Sequence, residues 1–107
     1  MAKLTKEEIA EGKKIIADIK AYIEECGGNY SGWYVGITGN IDQRLFTDHN
    51  VDKYKDNWCY KETTSSDLAR AIEKYFIENH ATQGGPGGGD DDSVYVYAYE
   101  VTKKTVE

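Results

Sequence analysis

A chain of 107 residues is long enough for one domain around a single modest core and too short for two. With 39% hydrophobic and 30% charged residues it falls outside the polar profile of disorder, and it has no apolar run that could cross a bilayer, so a folded domain away from membranes is expected. The formal charge of −6 weighs against tight non-specific binding to duplex nucleic acid, which draws its strength from cations that neutralise phosphates.

The charge deficit is uneven. Residues 1–32 carry five cations and six anions, residues 33–82 six and eight, and residues 83–107 two and five, so the middle is closest to holding a usable cationic spot. Nine tyrosines and two tryptophans against two phenylalanines bring many hydroxyl and N–H groups that must be bonded when buried or kept at a surface. Cys26 and Cys59 are too few for a disulfide framework, and no apolar N-terminal run marks export, which predicts a cytoplasmic protein with reduced thiols. Cys26, His49, Cys59 and His80 are spaced too widely to contain a short zinc-ligand pair.

Residues 5–25 predict a helix, with Ile9, Ile15, Ile16, Ile19, Tyr22 and Ile23 at spacings of three and four. Thr5 and Glu8 form a capping box at its start, and Gly27 with Gly28 suits its close. Residues 33–38, WYVGIT, are rich in β-branched and aromatic residues and read as a short strand. A helix follows, opened by Asn40 and Gln43, with Ile41, Leu45 and His49 recurring along one face. Residues 58–63 predict a second strand, and Thr64 with Asp67 starts a helix to about residue 80, striped by Leu68, Ile72, Tyr75 and Phe76. QGGPGGGDDD, residues 83–92, has a loop's composition and lacks the lysine and hydroxyl of a nucleotide-binding loop. Residues 93–102 carry the strongest β signal, with Tyr95, Tyr97 and Tyr99 on one face and Val94, Val96 and Ala98 on the other. The expectation is one α+β domain, residues 1–107, with a three-stranded sheet packed by three helices.

Chemistry points to the 33–80 stretch. Tyr34-Val35-Gly36 ends a strand that feeds a helix, and Arg44 lies eight residues beyond that glycine. This resembles the GIY-YIG nuclease family, in which a Tyr-Ile-Gly strand enters a helix bearing an arginine at this offset. WCYKETTSSDLARAIEKYFIE is similar to the family's third strand and the following helix, and Glu73 falls at the position of its metal-binding glutamate. The family also carries an earlier Gly-Ile-Tyr strand; here that interval, around residues 20–27, lies inside the first helix, and Ala21-Tyr22-Ile23 is a poor substitute. A permuted arrangement is therefore expected, in which residues 93–101 take the place of the missing first strand beside residues 33–38 and supply its tyrosine.

The resemblance implies a magnesium- or manganese-dependent endonuclease that hydrolyses phosphodiesters of DNA or RNA. Glu73 would hold one divalent ion, a hard cation suited to carboxylate and water oxygens. Arg44 would grip a phosphate oxygen, and Tyr34 with Tyr95, Tyr97 or Tyr99 would orient or activate water, given a cation that lowers the phenol's pKa from near 10. Plainer roles stand beside these. Glu73 on the shoulder of the apolar stripe needs a partner, which a structural bridge to Arg44 or Arg70 would also provide. His49 at apolar spacing reads first as a core-edge histidine, and the last strand's tyrosines as sheet cover. The alternative function is a non-catalytic module on a degenerate GIY-YIG-like scaffold, presenting its aromatic face to a protein or a nucleic acid, which the acidity favours.

Overall fold

The computed structural model describes residues 4–84 and 92–107. Helix α1 (Lys6–Glu25) starts on the predicted capping box: Glu8 N–H donates to Thr5 Oγ1 at 3.1 Å, and Thr5 N–H to Glu8 Oε1 at 3.1 Å. It ends where Gly27 and Gly28 take φ of 115° and 74°. After a 3-10 turn, Tyr30–Gly32, come strand β1 (Trp33–Thr38), a π-helical segment (Asp42–Asp48), strand β2 (Trp58–Glu62), helix α2 (Ser66–His80) and strand β3 (Tyr95–Glu100).

Two local details differ from expectation. The cap of α2 is Ser65, whose Oγ accepts from Leu68 N–H at 3.2 Å, while Thr64 reaches back to Glu11 of α1. Both hydroxyls fit an N-cap pattern, and the tie to α1 selects the second. The segment after β1 is π-helical rather than α-helical, so His49 N–H bonds to Arg44 C=O at 2.9 Å and residues five apart share a face.

The sheet has the order β1-β3-β2, all antiparallel, with the last strand in the centre. Residues 95–100 pair with the whole of β1, and Tyr97 stands opposite Gly36 on one side and Tyr60 on the other. The Gly/Asp-rich stretch expected to be a loop over residues 83–92 lies for residues 85–91 outside the described residues. Gln83 is engaged: it bridges to β1, taking Val35 N–H at 2.9 Å and giving its own N–H to Trp33 C=O at 2.8 Å.

Period-two alternation divides the sheet into two chemically different faces. Trp33, Val35, Ile37, Val96 and Ala98 pack against Ile15, Ile19 and Ile23 of α1 and Leu68, Ala69, Ile72 and Phe76 of α2. The opposite face carries Tyr34, Tyr97 and Tyr99, closed over by Leu45 and Val51. The helices thus bury an aliphatic core on one side and leave the tyrosine side to the π-helical segment. No helix among the described residues is long and apolar enough to cross a membrane, and both cysteines are free thiols.

Candidate active site

The site begins at a missing side chain. Gly36 lies under the Tyr97 ring, and a Cβ there would stand 2.6 Å from Tyr97 Cζ, so glycine is what lets this ring lie across β1. Tyr34 flanks it, with its ring 6.2 Å from Tyr97 and 5.3 Å from Tyr99 at interplanar angles of 18° and 15°.

The Tyr97 hydroxyl is the hub. Arg44 Nε donates to it at 3.4 Å, and His49 Nε2 lies 2.7 Å away. The other ring nitrogen, Nδ1, lies 2.6 Å from Val106 C=O and 3.0 Å from the Tyr99 hydroxyl. A carbonyl only accepts, so Nδ1 carries the proton, Nε2 is the acceptor, and the Tyr97 hydroxyl donates to it. Burial, at 1% exposure, holds the His49 pKa below the usual 6.5 and keeps this imidazole neutral at physiological pH, with Arg44 acting the same way and the Val106 bond opposing. The π-helical turn makes this possible by bringing Arg44 and His49 to one hydroxyl.

Burial dominates the phenols as well. It pushes the pKa of Tyr97 upward against the lowering effect of its bond to Arg44, and does the same to Tyr34 and Tyr99. The expectation that a nearby cation would bring a phenol pKa down therefore does not hold here: Arg44 acts in that direction but is outweighed by desolvation. These tyrosines are neutral phenols, not standing phenolates.

Glu73 projects from α2 with 3% exposure, and burial raises its pKa to about 7, with Arg70 opposing. Its charge acts on both Tyr34 and Tyr97, which places it in the same electrostatic neighbourhood as Arg44. Neither structural bridge forms: among the described residues the Arg44 guanidinium pairs with Asp48 at 3.4 Å, and no ion pair joins Glu73 to Arg44 or Arg70. Among the described residues the buried side-chain atoms left without partners are Trp33 Nε1 and Thr82 Oγ1, and the Glu73 oxygens are not among them. No cluster of three or more His, Cys, Asp or Glu side chains occurs among the described residues. A single carboxylate still suits a magnesium-like ion, which keeps most of its waters and takes one or two carboxylates.

Tyr34, Arg44 and Tyr97 thus come together, and Glu73 of α2 reaches the two phenols only through its charge. Tyr95 does not join them: it points to the same face but packs edge-on to Tyr60 at 6.1 Å, beside a separate groove. His49, which its spacing presents as a core-edge residue, is fully buried and bonded to the Tyr97 hydroxyl, a contact the sequence does not show. Comparison with family models, with curated proteins and with solved structures returns no match.

Proposed function

We propose that this chain is a GIY-YIG-like nuclease domain, permuted so that its last strand stands in for the family's first, and that it hydrolyses nucleic-acid phosphodiesters with the help of one divalent ion. The observation that carries this reading is the convergence of a guanidinium, two phenols and a neutral imidazole from β1, β3 and the π-helical turn beside Gly36, with the Glu73 carboxylate of α2 in electrostatic reach of both phenols. Each has a task in phosphodiester hydrolysis. Arg44, held at one side by Tyr97 and by a half-exposed pair with Asp48, offers its remaining N–H groups to a non-bridging oxygen and stabilises the charge that builds there. Tyr97 accepts a proton from an attacking water as it passes its own to His49 Nε2, so the imidazole ends protonated and the phenol neutral. Tyr34 packs against the imidazole and keeps it in place, with ring centroids 4.7 Å apart. Glu73 would hold the ion, magnesium or manganese, which when bound neutralises negative charge on the leaving oxygen.

The test is incubation with magnesium or manganese and single-stranded, duplex and branched DNA and RNA. Cleavage by the wild type that is lost in Arg44→Ala supports the reading, and intact substrates throughout overturn it. The second reading, a non-catalytic interaction module, draws on the net charge of −6. Calorimetric titration separates the two, because a nuclease site takes up a divalent ion that Glu73→Gln abolishes and a pure binding module does not.

A further inference from the structure

One feature outside the hydrolytic cluster is a groove of about 510 Å³ on the tyrosine face, walled by Phe46, Trp58, Tyr60 and Tyr95. Its rings are ordered: Trp58 and Tyr60 lie parallel within 10° at 6.3 Å, Phe46 meets Trp58 edge-on at 5.0 Å, and Tyr95 stands edge-on to Tyr60. Tyr60 is 46% exposed, an unusual place for a large ring in a sheet that buries Tyr34, Tyr97 and Tyr99. The indole N–H of Trp58 is fixed on Lys53 C=O at 3.0 Å, so the wall is held from behind, and the Lys53 ammonium stands 5.5 Å over the Phe46 ring. Asn40 and Asp42 supply hydrogen-bonding groups at the edge of the groove.

Its position relates it to the cluster. Tyr60 is the direct cross-strand partner of Tyr97, and directly paired residues of an antiparallel sheet stand about 5 Å apart. Tyr95 lies two residues along β3 from Tyr97, about 7 Å at strand rise. That is the reach from a phosphate to the base of a neighbouring nucleotide, so a strand whose phosphate met Arg44 would bring a flanking base to these rings.

We propose that this groove is a stacking subsite for an unpaired nucleobase, and that the substrate class is single-stranded or locally unpaired nucleic acid. The assignment rests on the nuclease reading above and adds to it the form of the strand. The acidity of the chain argues the same way. A duplex hides its base faces and offers mainly phosphates, whose binding needs a cationic excess that a chain of net charge −6 does not have; an unpaired strand offers π-faces to aromatic rings, an attraction that does not depend on net positive charge. Lys53 beside the rings is placed to meet one phosphate, while Asp42 disfavours a densely charged backbone lying along the groove. Recognition here therefore comes from stacking with a shallow dependence on salt.

The experiment is fluorescence anisotropy with a labelled oligothymidylate of about eight nucleotides, a length within the range single-strand sites cover, and a hairpin duplex of the same length, in EDTA so that nothing is cut. Oligothymidylate should bind more tightly than the duplex, lose about tenfold in affinity in Tyr60→Ala, and keep it in Tyr60→Phe. Tyr60 is too exposed for its truncation to unfold the chain, and circular dichroism of the variant verifies this. Equal or tighter binding of the duplex, an unchanged affinity in Tyr60→Ala, or displacement of no oligonucleotide because none binds each overturns the subsite. Since no cleavage is read, binding that survives in a chain that never cuts leaves the subsite standing and sinks the hydrolytic role. Cleavage without Tyr60-dependent binding does the reverse.

Discussion

Replacing Glu73 by glutamine is expected to stabilise the fold. The carboxyl has a pKa of about 7 in the folded chain against an ordinary 4.5, because burial disfavours its charged form. The folded chain therefore holds a proton that the unfolded chain has released between pH 4.5 and 7, and stability falls as pH rises through that window and is level above it. At 1.36 kcal/mol per pKa unit the full penalty is on the order of 3 kcal/mol at pH 8, and with 3% exposure of Glu73 there is little solvent screening to reduce it. Glutamine keeps the shape and removes the charge, so it should recover about that amount at pH 8 and almost none near pH 4.5. Thermal melts of both proteins at several pH values read the difference, roughly 4 °C or more in Tm per kcal/mol at this size. Magnesium should raise the Tm of the wild type at pH 8 by mass action and leave that of Glu73→Gln unchanged. A glutamine variant less stable than wild type at pH 8 would refute the reasoning, since it would mean that Glu73 is held in a favourable ion pair.

Other outcomes follow from the same contacts. Gly36→Ala places a Cβ 2.6 Å from Tyr97 Cζ and should displace that ring from His49 and Arg44, at a cost of about 1–3 kcal/mol in urea melts. Ala81 closes α2 with φ of 59°, a left-handed conformation that penalises a Cβ, so Ala81→Gly should raise stability by about 1 kcal/mol. His49 is held below its ordinary pKa of 6.5, so the unfolded chain takes up a proton that the folded chain resists. The His49 contribution to stability should decline as pH falls below 6.5, against the opposite trend from Glu73, and His49→Gln should lose that component, seen by comparing urea midpoints of the two proteins at pH 7 and pH 5.

Much of the architecture was legible because it rests on local signals. The Thr5–Glu8 box, the β-rich run at 33–38 and the strict alternation of tyrosine with small aliphatic residues in the last strand are short-range patterns, and each element lies where they put it. The pairing of the last strand with residues 33–38 is expected differently, from a sheet that would otherwise lack an edge, and residues 95–100 do pair with β1; that β3 also pairs with β2 and so takes the centre is not legible in the sequence. What could not be read was register. Tyr95, Tyr97 and Tyr99 are equivalent by alternation, and only the pairing of Tyr97 with Gly36, where no side chain intervenes, singles it out. His49 was obscured by helical period: spacing of four from Leu45 puts it with the core, whereas the π-helical turn puts it with Arg44. The direction of the phenol pKa shifts was likewise hidden, because it depends on how deeply the rings are buried and not on which cation is near.

The most direct test of the central claim is single-turnover cleavage of an end-labelled single strand with manganese at pH 8, wild type beside Glu73→Gln. The wild type should cut and the glutamine variant should not, although the variant is the more stable of the two. Equal rates in the two proteins, or an intact strand with both, would contradict it.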